Sequence, residues 1–417
     1  MRQLVALAAG ALIAMAVWAT GEPASHLRFT PFGTGLPSRG QWREGFRVAD
    51  LNGDGHPDIV HGAPRKQSSY PVIFPGDGRG SFRRWKEARF PDLPYDYGDI
   101  EVADFNGDGH PDLALAIHHG GIYILTGNER GEFTNATPAA VFGPSALNGF
   151  SSRAIRATDW NGDGRPDLVA QSEGPPAGAA FSSAPGAMVF LNGGHQGWRP
   201  APALSFGIFS DSLAIGDFDG DGHADVATGS SVLGRSDLVT LWRPDHAEAA
   251  PAVPIPGSIH YVQAVTAGDF DGDGRDDLVI AYLSLENEIW YSVVDVYFSR
   301  AGMRWKRAEL LKEASRNVAV ATASGHLRSR RARDIAAIFT QGQTVLFLGD
   351  GHGSFERNTA IPAYEGGCRG AHVELADLDG DGLDEVVASF ADEPNGAGPS
   401  AVCPSGGGIT AWKPLRN

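Results

Sequence analysis

Short apolar runs recur along the chain in sets of about four, and Asp- and Gly-rich turns separate them. An alternating run such as GFRVAD (residues 45–50) leads into an acidic turn. A continuous run leaves it, PDIVHGA at 57–63 or PDLALAI at 111–117. A third follows a variable connection, as in YPVIFPG (70–76), GIYILTG (121–127), AMVFLNG (187–193) and TVLFLGD (344–350). A Gly-rich turn such as GDGRGSF (76–82) or GDGHGSF (349–355) then introduces a fourth. Period-two alternation bounded by Gly, Asn and Asp is the mark of short antiparallel strands. Four per unit is the pattern of a propeller blade, which buries both faces only by stacking on its neighbours.

The acidic turns set the count. DLNGDGHPD from Asp50, DFNGDGHPD from Asp104, DWNGDGRPD from Asp159, DFDGDGHAD from Asp217, DFDGDGRDD from Asp269 and DLDGDGLDE from Asp377 align without gaps. The first five begin 54, 55, 58 and 52 residues apart, and the last gap is 108, twice the period. HLRSRRARD (326–334) falls in register between them and is followed by the strand-like IAAIF, which makes seven units. The predicted fold is all-β: one seven-bladed propeller of four-stranded antiparallel blades over residues 22–417. The seventh unit ends one strand short, and HLRFTPFG (26–33) reads as a strand without a blade. The N-terminal strand is therefore expected to complete the last blade and close the ring, leaving no unpaired sheet edge there.

Positions 1, 3, 5 and 9 of each intact turn carry side-chain oxygens. These are Asp50, Asn52, Asp54 and Asp58; Asp104, Asn106, Asp108 and Asp112; and Asp159, Asn161, Asp163 and Asp167. The later copies offer Asp217, Asp219, Asp221 and Asp225; Asp269, Asp271, Asp273 and Asp277; and Asp377, Asp379, Asp381 and Glu385. So many carboxylates in nine residues repel one another unless a cation sits among them. The position-7 carbonyls of His56, His110, Arg165, His223, Arg275 and Leu383 are further candidate ligands. An all-oxygen set on a flexible loop favours Ca²⁺ over Mg²⁺. An EF-hand does not fit, because position 12 is His61 in the first copy and Leu115 in the second, and the flanks are strands. The sixth turn lacks acids at positions 1, 3 and 5 and is expected to be empty, giving about five to six structural ions. On that basis Asp163→Ala should weaken its blade more than Asp334→Ala weakens the sixth. The net charge is −16, and 21 of the 50 acidic residues are candidate ligands in these turns, so six ions would leave about −4.

The repeated D-x-[DN]-G-D-G-x-x-D motif resembles the FG-GAP/VCBS repeats, the propeller units of integrin α subunits and of many secreted proteins. The resemblance spans about residues 27–413 and implies seven blades, with calcium in the hairpin between the first two strands. It also implies that metals lie on one face of the ring and ligands bind on the other.

The first 21 residues, with Arg2 before an apolar run at 4–19, read as a signal peptide too short to span a bilayer. The mature chain is expected to be exported, periplasmic or secreted, and monomeric, with no membrane span. Cys368 and Cys403 are then expected to form a disulfide. The acidic balance excludes nucleic acid as a partner. No nucleophile elbow, phosphate loop, HExxH motif or Cys/His pairing is present.

Ligand-face candidates come from the connections opposite the acidic turns: Trp42 and Arg43, Arg65 and Lys66, Tyr95, Asp96 and Tyr97, His118 and His119, Arg153, His260 and Tyr261, Trp290 and Tyr291, and Arg369 with His372. Aromatic rings beside Arg and Asp suit sugars, since a ring stacks on a pyranose while polar groups take its hydroxyls. Three uses fit: a module for carbohydrate or glycoprotein ligands, a protein-adhesion scaffold, or a polysaccharide lyase or hydrolase. The last needs paired carboxylates, for which Glu173, Glu286 and Glu365 are available.

Overall fold

The computed structural model describes residues 27–64, 68–93, 98–118, 120–142, 150–175, 180, 184–205, 207–229, 239–242, 253–256, 260–364, 367–392, 400 and 402–415. The proposed signal segment, Arg65, Lys66, Tyr95, Asp96, Tyr97, His119 and Glu365 lie outside them.

The N-terminal strand β1 is Arg28–Pro31. The first blade holds β2 (Phe46–Ala49), β3 (Asp58–His61) and β4 (Val72–Phe74). The second holds β5 (Ile100–Ala103), β6 (Asp112–Ile117), β7 (Gly121–Thr126) and β8 (Thr134–Asn135). The third holds β9 (Ser152–Thr158), β10 (Asp167–Ser172), β11 (Ala187–Asn192) and β12 (Trp198–Pro200). In the fourth, β13 (Leu213–Gly216), β14 (Asp225–Gly229) and β15 (Val239–Trp242) are described. The fifth has the longest strands, β16 (His260–Gly268), β17 (Asp277–Glu286), β18 (Ile289–Arg300) and β19 (Arg304–Glu313). The sixth holds β20 (Ala319–Gly325), β21 (Asp334–Phe339), β22 (Thr344–Gly349) and β23 (Phe355–Asn358). The seventh holds β24 (Arg369–Ala376), β25 (Glu385–Ala391) and β26 (Gly407–Leu415).

All seven sheets are antiparallel, and the fold is that of a seven-bladed propeller. Five sheets have four strands among the described residues and two have three. In the first blade the outer position is taken by an irregular segment, where Trp85 N donates to Ile73 O at 2.8 Å and Arg83 N to Pro75 O at 3.1 Å. The seventh sheet takes its fourth strand from the other end of the chain, with β1 paired to β26 from Arg28↔Leu415 to Pro31↔Trp412.

The second strand of each blade is flanked by a strand on either side and by a blade on either face. This explains why β3, β6, β10, β14, β21 and β25 are buried at every position and read as continuous apolar runs. The blades meet in seven hydrophobic clusters, each shared by two neighbours, and the cluster of Phe46, Ile59, Leu378 and Val387 joins the last blade to the first. Loop position 2 plugs each of them: Leu51, Phe105, Trp160, Phe218, Phe270, Leu327 and Leu378 are all buried. Burying one such side chain contributes about 1.5–3 kcal/mol. The disulfide forms between Cys368 and Cys403, 35 residues apart, and ties the start of β24 to the connection before β26.

His61 is fully buried between the rings of Trp42, at 5.1 Å, and Phe46, at 6.3 Å. Burial pushes its pKa down to about 4, so the folded ring is neutral. An unfolded imidazole takes up a proton near pH 6.5, so between 6.5 and 4 the unfolded chain binds the extra proton. Stability therefore falls as pH drops through that window, by about 3 kcal/mol from this residue. His61→Leu, which places the residue type of Leu115 at this position, should remove that slope. Urea unfolding of both proteins at pH 7 and 4.5 tests this, and parallel losses would count against it.

Candidate functional site: acidic loops, axial cavity and fifth hairpin

Each intact loop begins where its inner strand ends. In the first, Asp50 Oδ1 accepts from Gly53 N at 2.8 Å and Oδ2 from Gly55 N at 2.8 Å, while Asp54 Oδ1 accepts from His56 N at 2.9 Å. Gly53 and Gly55 have φ of 73° and 86°, a left-handed geometry that disfavours a Cβ and lets alternate side chains share one side of the turn. The Asp104, Asp217 and Asp269 loops repeat these contacts. The Asp377 loop does so as well, while the Asp159 loop keeps the position-1 to position-6 contact and the position-7 contact.

The acid at position 9 has a different environment. Asp58, Asp112, Asp167, Asp225, Asp277, Asp334 and Glu385 are all at most 1% exposed. Each accepts a backbone N–H from position 2, as in Asp58 Oδ2 with Leu51 N at 3.0 Å. In five blades the other oxygen also accepts an N–H from the end of the third strand: Gly76, Gly127, Asn192, Ser299 and Gly349. Position 9 is thus a fastener between strands as well as a ligand candidate. Burial, reinforced by the loop's other carboxylates, pushes Asp58, Asp225 and Asp277 up to about 7; burial opposed by lysine leaves Glu385 there too.

The donor set fits a hard divalent cation. Ligand oxygens of Asp217, Asp219 and Asp225 lie within 4.8 Å of one another, as do those of Asp269, Asp271 and Asp273, and of Asp377, Asp379 and Glu385. Among the described residues, the shielded oxygens Asp225 Oδ1 and Asp271 Oδ1 accept no hydrogen bond, which suits them to a cation.

The sixth loop is built differently. None of residues 326–334 has a positive φ, and the Arg328 guanidinium reaches both Asp334 Oδ1, at 3.0 Å, and the Gly349 carbonyl. A side-chain cation stands beside the position-9 acid. The sequence-based ranking of Asp163 over Asp334 is therefore corrected: Asp334 is fully buried with three partners, whereas Asp163 is a loop carboxylate paired with Arg165.

On the axis, a cavity of about 520 Å³ is lined by residues of the first strands of six blades and, in the second blade, by Gly98 and Asp99 just ahead of β5. Its walls are unlike. Arg47 Nε meets Glu101 at 3.1 Å and its terminal nitrogens meet Glu374 at 3.0 Å and Asp99 at 3.4 Å, while Arg156 meets Asp99 at 2.7 Å. This chain of charges links the seventh, first, second and third blades, and the opposite wall is Ala214, Thr266, Thr322 and Ala323. Burial alone would lower the Arg47 pKa, but the three carboxylates reverse that and keep it charged. Four of these residues, Arg47, Glu101, Arg156 and Glu374, stand three positions before their acidic loops.

The ligand-face candidates separate into groups. Arg43, Arg153 and Arg369 line the cavity, and Arg153 pairs with Glu173 at 2.9 Å and Asp211 at 2.5 Å. Glu173 also accepts from Ser151 and meets His118 at 2.5 Å. Trp42 is corrected to a core residue: it is 6% exposed, packed on His61 and Phe74, and its Nε1 donates to Arg39 O at 2.8 Å. Tyr261 and Trp290 come together, ring centroids 5.9 Å apart. They lie near the tip of the long fifth-blade hairpin, where Glu286 pairs with Ile289 across a turn with positive φ at Asn287 and Glu288. Arg316 stacks over Trp290 at 5.4 Å and Lys312 over Tyr291 at 4.7 Å, two cations that the sequence reading missed. Glu286 is held by Lys312 at 2.7 Å on the fifth blade and Glu173 by its own partners on the third, so these two do not form a carboxylate pair.

Family models match in the same places. The FG-GAP-like repeat matches residues 65–115, 104–170 and 331–388, and the FG-GAP repeat matches 209–239 and 261–283. The chain belongs to the FG-GAP repeat family. Among curated relatives of this FG-GAP protein, mouse phosphatidylinositol-glycan-specific phospholipase D is 31% identical over 157 residues, covering 31% of this chain and 18% of its own. Integrin alpha-5 of Xenopus laevis is 22% identical over 254 residues, covering 54% of this chain and 23% of its own. The match thus spans about a fifth of the length of either relative. Among solved structures, the BP39L lectin from Burkholderia pseudomallei superposes with a TM-score of 0.59 at 13% identity, over 89% of this chain and 96% of the lectin. BBS1N, in complex with ARL6DN, gives 0.55 at 10% identity, over 94% and 98%. Both likenesses concern the fold. No helix among the described residues is long and apolar enough to cross a membrane.

Proposed function

We propose that this chain is an exported, calcium-loaded binding module that takes carbohydrate or glycoprotein ligands on the face opposite its acidic loops. The observation that carries the reading is the Tyr261–Trp290 pair with the Arg316 guanidinium over the Trp290 ring. β16 runs from this cluster to its acidic loop, so the two ends are separated by about 25 Å at 3.3 Å per residue. Calcium would hold each inner strand to the next through positions 1, 3, 5 and 9, keeping the far face rigid without touching the ligand. On that face an aromatic ring would stack on a sugar's apolar side, while the Arg316 guanidinium binds hydroxyl or acidic substituents. The lectin's name and its shared fold support a sugar ligand.

The likeness to an integrin subunit and the exposed Ile289 at the hairpin tip, 47% accessible, favour protein adhesion as a second reading. A glycan array probed with the calcium-saturated protein separates the two. Under the first reading a glycan hit weakens about thirtyfold in Trp290→Ala, the scale of truncating an anchoring aromatic. A blank array together with a protein partner lost in the same variant would move the assignment to adhesion.

A further inference from the structure

We propose that Lys413 is the resident cation of the seventh acidic loop, so that this chain binds one divalent ion fewer than it has intact loops. The inference rests on the calcium reading of the other loops. The Lys413 ammonium meets Asp379, Asp381 at 3.1 Å and the fully buried Glu385 at 3.5 Å, and it lies 5.3 Å from the centroid of the Phe32 ring. Three of the four side chains expected to bind an ion thus already face a cation, and its stem is packed at the seam where β1 joins β26.

Among the blades whose third strand is described as far as this position, the placement is particular to this one. Extending each second-to-third strand register by one residue sets Pro75, Thr126, Leu191, Phe298 and Leu348 opposite position 9 in the first, second, third, fifth and sixth blades. None is charged; in the seventh the same step gives Lys413 opposite Glu385. Glu replaces Asp there alone among the seven loops, and the extra methylene carries the carboxylate toward the amine. Glu385 Oε1 accepts no hydrogen bond, whereas in five other loops that oxygen takes an N–H from the third strand. The sixth loop shows the same solution carried further, with Arg328 on Asp334 and no acids left at positions 1, 3 and 5. The fifth loop differs: Arg300 meets Asp271 Oδ2 and Asp273 Oδ2, and Asp271 Oδ1 is left without a donor. A tethered ammonium competes at high effective concentration and cannot be removed by chelators. The blade in which the two chain ends pair would therefore keep its loop in low calcium.

Calorimetric titration of the dialysed full chain with Ca²⁺, beside Lys413→Met, tests this by the number of ions bound. The expected result is one more ion in the variant than in the wild type. Equal non-zero counts would overturn the proposal and leave the calcium reading standing, and no binding in either would overturn both. Should the variant fail to fold, amine-reactive labelling read by mass spectrometry substitutes for it. Lys413 should be protected equally with and without Ca²⁺, and a rise in labelling on adding Ca²⁺ would show the ion expelling it.

Discussion

Stripping divalent cations from the native protein should lower its melting temperature by about 20 °C, and calcium should restore it. An ion at a hundredfold excess over its dissociation constant stabilises the folded state by about 2.7 kcal/mol, and several such ions rival the ~5–15 kcal/mol that holds a typical domain together. The loss falls on particular joints. Without the ion, Asp50, Asn52 and Asp54 crowd one turn above the buried Asp58, and the carboxylates repel across a turn that packs Leu51 between blades. Magnesium should restore less, because its small octahedral shell dehydrates reluctantly and suits a flexible loop poorly. Scanning calorimetry with excess chelator, then with each metal added back, measures both effects. An unchanged melting curve would overturn the structural role assigned to calcium.

The turns and the second strands could be read from sequence because local rules govern them. Two glycines around an Asp at fixed spacing force the loop geometry of residues 50–58 wherever the segment sits, and DLALAI is continuous because both its faces are covered. The orphan strand at 28–31 could also be read, since a strand without partners implies an incomplete sheet elsewhere. Trp42 could not. Its burial depends on where the connection before β2 lies against His61 and Phe74, a tertiary matter that an aromatic beside an arginine does not reveal. Position 9 was visible as an acid but not as a buried fastener, because its second partner lies 15–25 residues away on the third strand. The charged wall of the cavity left a trace that was readable in principle. Glu374, Arg47, Glu101 and Arg156 alternate in sign three residues before successive loops, and alternation around a ring puts opposite charges side by side. The ten- to twelve-residue reach of the fifth hairpin was likewise written in the alternation of LSLENEIWYSVV, on either side of a two-residue turn.

Asp334→Ala should destabilise the calcium-loaded protein by about 3–5 kcal/mol, more than Asp163→Ala does. The change leaves the buried amides of Leu327 and Gly349 without acceptors and deprives Arg328 of its carboxylate, and breaking a buried pair from one side costs that much. Asp163→Ala removes a loop carboxylate beside Arg165, so its effect is limited to the ion it helps hold, about 2.7 kcal/mol at a hundredfold calcium excess. Arg328→Met should cost less, because that side chain is 37% exposed and its loss leaves the two amide bonds to Asp334 in place. The double variant should then cost less than the sum of the two, with a coupling of about 0.5–3 kcal/mol as expected of residues in contact. Urea unfolding of the four proteins in saturating calcium gives all three quantities. If Asp163→Ala proves the more damaging, or if the coupling vanishes, the guanidinium is a bystander and the sixth blade is held by its strands alone.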